Sequence, residues 1–348
     1  MCTSLTIGDS ASGLVYARTM EFTLQLHSAI VVVPAGTTFT GTDKNGTIGS
    51  GGLTWTATHG TVFENALGIE GCSIDGMNDA GLVVGSLNFP VSADYLTVSD
   101  ADQAKSIGSF EVAHFLLTTC ATVAEARAAL ESTPVQNVGV AAYGGQVPPL
   151  HWNILDTAGN HIVAEYVGGA LSIYDNPTTV LTNEPPFPMQ LANLAEFSYL
   201  SAEPPAPIRI GELSLAAASS GGGMKGIPGG FLATSRFVRA FFARNCAPAF
   251  STSAQGVDLA RHLINGFDIP PGSVQTPAGA GESGGVTGIE TTEWSVIHDL
   301  ANRVSYLNTY EGPQWTRLDV RALCAAAKGL TVIEFPAPAA FPEVTLGL

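Results

Sequence analysis

Met1-Cys2-Thr3-Ser4-Leu5-Thr6-Ile7-Gly8 opens the chain, and Tyr16-Ala17-Arg18-Thr19-Met20-Glu21-Phe22 follows one turn later. Residues 3–6 and 13–18 read as two short strands around the turn Asp9-Ser10-Ala11-Ser12-Gly13. Antiparallel pairing aligns strand ends, so such a hairpin brings Arg18 and Glu21 back towards Cys2. If Met1 is cleaved off, Cys2 carries a thiol and a free α-amino group on one residue, a nucleophile with its own base attached. The plainer reading of the same cysteine is a small buried residue that begins a first strand.

Outward from this hairpin, residues 29–33 form a β-branched run closed by Pro34. Residues 35–64, rich in Gly and Thr, are expected to be loops with one or two edge strands. Asp75-Gly76-Met77-Asn78-Asp79-Ala80-Gly81 is a dense turn signal, and a buried strand over 82–87 follows it to Asn88-Phe89-Pro90. Helical patterns cover 107–119 and 123–130. Residues 152–155, 161–167, 171–174 and 178–181 read as a meander, stopped by Thr182-Asn183-Glu184-Pro185-Pro186. Further helices are expected over 189–197, 236–245 (capped by Thr234 or Ser235) and 257–265. Residues 294–298 and 304–310 read as a hairpin across Leu300-Ala301-Asn302, with late strands at 316–318 and 330–335. Antiparallel hairpins without regular βαβ alternation predict an α+β fold, stacked antiparallel sheets covered by helices. The Pro- and Gly-rich segments look like internal loops, so residues 2–348 are expected to form a single domain.

Composition narrows the function. Apolar residues at 45% and charged residues at 13% of 348 argue against disorder and for a large core. The net charge of −16 comes with no cluster of Lys and Arg, which argues against nucleic acid as a partner. No apolar run approaches the roughly 20 residues of a spanning helix, so no membrane partner is expected. No signal peptide precedes Cys2, and the chain as written reads as cytoplasmic; a trimmed export signal would make it periplasmic or secreted. The five cysteines (Cys2, Cys72, Cys120, Cys246, Cys324) form no C-x-x-C pair, and the seven histidines no H-x-x-x-H spacing. Neither a metal nor a cofactor is expected, and Cys120 and Cys324 read as buried free thiols.

Two motifs compete with Cys2. Gly281-Glu282-Ser283-Gly284-Gly285 fits G-x-S-x-G, but the strand and helix that a nucleophile elbow requires do not flank it. Gly221-Gly222-Gly223-Met224-Lys225-Gly226 fits G-x-G-x-x-G, but no strand precedes it and Ile227-Pro228-Gly229 follows. The thiol gains weight from polar residues at the ends of apolar strands. Asn88 and Asn183 could supply donors for an oxyanion. Arg18 and Arg236 could supply the cations that favour a thiolate.

In the order Cys2-Thr3, Arg18-Thr19-Met20-Glu21, residues 75–82, Leu87-Asn88-Phe89-Pro90, Leu181-Thr182-Asn183, Gly226-Ile227-Pro228-Gly229 and Ser235-Arg236-Phe237-Val238-Arg239, the chain resembles the choloylglycine hydrolases. That family includes conjugated bile acid hydrolases and penicillin V acylases, within the N-terminal nucleophile hydrolases. The resemblance implies a four-layer αββα sandwich, the Ntn-hydrolase fold, often assembled as a tetramer. It also implies hydrolysis of the C–N bond of a linear, non-peptide amide in a small N-acyl substrate with an apolar acyl group. Carried over position by position, Cys2 is the nucleophile and its freed α-amine the base. Arg18 stands beside the thiol, Glu21 binds the α-amine, Asn88 and Asn183 hold the oxyanion and substrate, and Arg236 is the second arginine. From their positions, Phe22 and Phe89 are expected to shape the acyl pocket; core packing is the alternative for both.

Glu21 departs from the family, which usually has aspartate there, and one extra methylene moves the charge by about a bond length. Asn88 favours the bile salt hydrolase branch, whereas residues 75–82 and Thr292-Glu293-Trp294-Ser295-Val296 look more like Gram-negative members. Some of those relatives cleave phenoxyacetyl penicillin or N-acyl homoserine lactones. The rival readings are a non-catalytic amide-binding member of the same fold and a serine hydrolase acting through Ser283.

Overall fold

The opening hairpin forms as the pattern requires, with Cys2 opposite Met20 and Ser4 opposite Arg18. The computed structural model describes residues 1–276, 287–312 and 314–337. The Ser283 motif therefore lies outside the described residues. Around the hairpin an antiparallel sheet runs Val180–Leu181, Cys2–Ile7, Val15–Phe22, Gly288–Asp299, Val304–Thr309 and Thr316–Asp319, with Val274–Thr276 paired to the start of Gly288–Asp299. A second antiparallel sheet runs Ala170–Asp175, His161–Val167, Leu150–Leu155, Val83–Asn88, Ile69–Asn78, Thr61–Ala66, Ala29–Val33 and Thr331–Glu334. Apolar side chains from both sheets, among them Leu5, Val84, Trp152 and Val296, join one buried cluster.

Helices close the outer faces. Ala233–Asn245 and Ser253–Asn265 pack on the sheet that carries Cys2. Val112–Thr119 and Val123–Ser132 pack on the other sheet. Their apolar stripes explain the placement: Phe237, Val238 and Ala240 are buried on the first helix, Val257, Ala260 and Ile264 on the second. The result is the αββα order expected from the resemblance.

Four local expectations are corrected. The turn signal at residues 75–81 is mostly strand, since Ile69–Asn78 continues through Asp75-Gly76 and only Asp79, Ala80 and Gly81 turn. Gly76 serves close packing: a Cβ there would lie 2.4 Å from the Phe63 Cβ. Asp75 is a buried carboxylate supplied with partners. The segment 35–64 contributes the paired edge strands Thr38–Thr40 and Thr54–Thr56, but Thr61–Ala66 is an interior strand buried throughout. The fourth strand of the meander, Val180–Leu181, leaves its neighbours and pairs with Cys2–Ile7 in the other sheet. Asn176 drives this crossing, accepting from Thr178 Oγ1 (2.7 Å) and the Thr179 N–H (3.0 Å) in a tight polar turn. The helix at 236–245 begins earlier, at Ala233, without a side-chain cap.

Candidate active site

Side-chain alternation splits the site between two faces of one sheet. Cys2, Arg18 and Met20 share the face towards the second sheet, as their cross-strand pairing demands. Thr3 and Glu21 take the opposite face, against the helix Ala233–Asn245. The Cys2 thiol is fully buried, with Arg18 Nη2 at 3.2 Å and Met20 Sδ at 3.6 Å from Sγ.

Arg18 is held from the second sheet. Its Nη1 donates to Ile74 O (2.5 Å) and Asp75 Oδ2 (3.1 Å), and its Nη2 to Ser86 O (2.8 Å). The guanidinium also stands 5.5 Å from the Trp294 ring centroid. Burial opposes the arginine's charge, but Cys2, Asp75 and Tyr16 outweigh it and hold the guanidinium above its ordinary range. Asp75 is the hub of this network, accepting from Tyr16 O–H (2.7 Å) and pairing through Oδ1 with His298 Nε2 (2.8 Å).

On the helix-facing side, Arg236 is fully buried. It donates to the Cys2 carbonyl, to Thr3 Oγ1 (2.7 Å), to Asn183 Oδ1 (2.6 Å) and to Phe231 O (2.8 Å). The same Asn183 oxygen accepts the Cys2 N–H at 2.8 Å, and Asn183 Nδ2 donates to Asn88 O at 2.8 Å. The two asparagines, one from each sheet, thus meet beside Cys2. Asn183 follows the strand that crossed between sheets, so that crossing is what brings it to the Cys2 nitrogen.

Glu21 is fully buried. Its Oε1 accepts from Thr292 Oγ1 (3.2 Å), and Oε2 has no hydrogen-bond partner among the described residues. Burial pushes its carboxyl above the ordinary range, against the opposing pull of the N-terminal charge and Arg236. Facing Glu21, the strand pairing slips between Thr292 and Trp294, a β-bulge of the kind that sits beside active sites. The bulged Glu293 accepts from the Leu26 N–H, and burial pushes its carboxyl up to about 7.

Of the two aromatic residues, Phe22 lines an apolar pocket with Met20, Leu26, Ile74, Tyr143 and Leu150, and the pocket reaches Ser86 and Asn88. Phe89 is fully buried and stacks on His151, with centroids 4.4 Å apart. His151 Nε2 also bonds Thr182 O (3.0 Å), and Gln190 Nε2 donates to Asn183 O (2.6 Å). These supports, with Asp75, His298 and Glu290, were not singled out from the sequence. Each is polar and fully or almost fully buried, a property that no local pattern announces. Of the thiols read as buried, Cys120 is so, whereas Cys324 is half-buried; all five cysteines are free.

The αββα sandwich is the N-terminal nucleophile hydrolase fold, and within it two arginines and two asparagines gather around Cys2. Residues 2–325 match the linear amide C–N hydrolases of the choloylglycine hydrolase family, and the chain belongs to that family. It is 27% identical over 332 residues to the bile salt hydrolase/transferase of Clostridium perfringens, covering 92% of each chain. It is 33% identical over 242 residues to that of Lactiplantibacillus plantarum, covering 69% of this chain and 70% of the relative. Among solved structures it is similar to the C2A mutant of the conjugated bile acid hydrolase from Clostridium perfringens (TM-score 0.81, 24% identity, 99% of this chain and 100% of the other). The penicillin V acylase from Agrobacterium tumefaciens is also similar (TM-score 0.75, 23% identity, 96% and 91%). The chain is accordingly an amidohydrolase acting on linear amides. No described helix is long and apolar enough to cross a membrane.

Proposed function

We propose that this enzyme hydrolyses N-acyl amides with an apolar acyl group, using Cys2 as nucleophile and residues 2–348 as one catalytic domain. The observation that carries this reading is the Cys2 sulphur, 3.2 Å from a guanidinium, near the polar end of an apolar pocket. Loss of Met1 converts the Cys2 N–H into a primary amine, still beside Asn183 Oδ1. That amine takes the thiol proton, and the thiolate, matched in charge by Arg18, attacks the amide carbonyl. Asn183 Nδ2 and Asn88 donate to the oxyanion, a term worth several kcal/mol in comparable sites. The α-ammonium then protonates the departing nitrogen as the C–N bond breaks, leaving a thioester and a free amine. Water, giving a proton to the α-amine, splits the thioester; the acid leaves and the thiol returns. Glu21 compensates the α-ammonium from the helix-facing side.

The apolar lining fits the steroid acyl group of a bile salt, the aryl acyl group of penicillin V or the chain of an N-acyl homoserine lactone. Intact mass measurement is expected to show loss of Met1, and hydrolysis of glycine- and taurine-conjugated bile acids, penicillin V and acyl homoserine lactones to show turnover of at least one. A chain that keeps Met1 yet turns over any of them would remove the α-amine from the mechanism.

The hairpin Ile208–Ile210 and Leu213–Leu215 exposes Ile208, Ile210, Leu213 and Leu215, each about half or more accessible. An arm this apolar needs covering. We infer that it does so in a homo-oligomer, a tetramer by family resemblance. Ile208→Ser with Leu213→Ser is expected to reduce the particle mass in light scattering; an unchanged mass sinks the assignment.

A further inference from the structure

Glu290 takes no part in these steps, yet it stands beside them. It lies near the start of the strand Gly288–Asp299, two residues before Thr292, and is buried. With Met1, Asn88, Asn183, Leu232 and Arg236 it lines a pocket next to Cys2. The charged groups of this pocket are unequally occupied. Glu184 accepts from the Val91 and Ser92 N–H groups (2.8 Å each) and from Ser92 Oγ (2.7 Å). Arg236 donates to Cys2 O, Thr3 Oγ1, Asn183 Oδ1 and Phe231 O. The Glu290 carboxylate instead holds the α-ammonium of Met1, which also donates to Glu21 O at 2.6 Å.

Met1 thus shows what this corner accepts: a primary ammonium, one residue's length beyond the Cys2 nitrogen. A buried carboxylate is costly unless a cation compensates it. The Met1 ammonium does so only while Met1 remains. The buried Glu21 carboxyl lies near enough to Glu290 for the two acids to repel each other, with Arg236 offsetting part of the charge on Glu21. The pocket adjoins the Cys2 nitrogen, where the proposed reaction protonates and releases the amine half of its substrate.

We propose that Glu290 recognises a cationic group on the amine half of the substrate, an ammonium or guanidinium placed on a short arm beyond the scissile nitrogen. This assignment rests on the amide-hydrolase reading above and adds the substrate class to it: N-acyl derivatives of diamines or aminoguanidines. An anionic amine half such as glycine or taurine brings its own negative charge towards Glu290 and is disfavoured.

The test uses the protein that has lost Met1 and one acyl group, phenylacetyl, on three amines of similar length. These are 1,3-diaminopropane, 3-amino-1-propanol and β-alanine, whose free ends are cationic, neutral and anionic at pH 7. The expected order of kcat/KM is cation, neutral, anion, with the first exceeding the last by about 10- to 100-fold, as for a charged hydrogen-bonded contact. In Glu290→Gln the ratio of cation to neutral falls to near one. An anionic amide cleaved as fast as the cationic one overturns the proposal. So does a Glu290→Gln variant that slows all three amides alike, because Glu290 then serves the Cys2 amine and not the substrate. Absence of cleavage for all three and for the bile acid, penicillin and lactone panel removes the hydrolase reading itself; cleavage without the charge order removes this inference alone.

Discussion

Cys2→Ala is expected to lower kcat by at least about 10⁴-fold on any amide the enzyme cleaves, the scale seen when a covalent nucleophile is deleted. The loss is chemical and not structural. Removing the sulphur takes one contact from Arg18 Nη2 and leaves its bonds to Ser86 O and Asp75 in place. The thermal unfolding midpoint should therefore stay close to that of the parent, while turnover disappears. Alkylation gives an independent check. Cys72 and Cys324 are pushed up to about 12 by burial, and burial also raises Cys120, so none of the three is a ready thiolate. Cys246 is exposed, and its rate sets the baseline for an ordinary thiol. In the Met1-free protein, iodoacetamide should modify Cys2 faster than Cys246, and an acyl amide should protect it. Retained turnover in Cys2→Ala ends the nucleophile assignment.

Asp75→Ala should cost about 3–5 kcal/mol of stability, the usual result of leaving one member of a buried ion pair uncompensated. Three groups lose an acceptor together: Arg18 Nη1, the Tyr16 hydroxyl and His298 Nε2. Burial, and after it Asp75, pushes the Tyr16 phenol well above its ordinary range, so the tyrosine is a neutral donor to the carboxylate throughout the working pH range. Asp75→Asn keeps the shape and one acceptor oxygen and should be the milder variant. Activity should fall with the release of Arg18, by about 10²-fold if the guanidinium shifts by the ~1 Å that commonly has this effect. Urea unfolding alongside kcat/KM separates the two consequences. A variant as stable as the parent and equally active would show that Asp75 does not position Arg18.

Much of the site was readable because it is spread along the chain in a recognisable order. Cys2, Arg18, Glu21, Asn88, Asn183 and Arg236 are distant in sequence, and the structure gathers the other five around Cys2. The residues that support them were not legible. Asp75 was hidden inside what looked like a turn, because Asp-Gly is a turn signal wherever tertiary partners are unknown. Here Arg18, Tyr16 and His298 satisfy the carboxylate, and the absent Gly76 side chain makes room for Phe63, so the strand continues. Phe89 could be counted as pocket or core by hydrophobicity alone; the structure adds that it is fully buried and stacked on His151.

By itself the sequence determined the opening hairpin, the antiparallel α+β character, the helices with an apolar stripe and the family order of the polar residues. These are local or one-dimensional properties: strand alternation, helical periodicity and motif succession are written in neighbouring residues. Tertiary structure alone decided which sheet each strand joined. Val180–Leu181 reads as the end of a meander, yet it pairs with Cys2–Ile7 and so delivers Asn183 to the Cys2 nitrogen. It also decided which carboxylates matter. Glu290 is an unremarked residue in sequence, yet the fold buries it beside Cys2, where it holds the Met1 ammonium. Burial and long-range electrostatics depend on what lies across space from a residue, and a chain's order does not contain that distance.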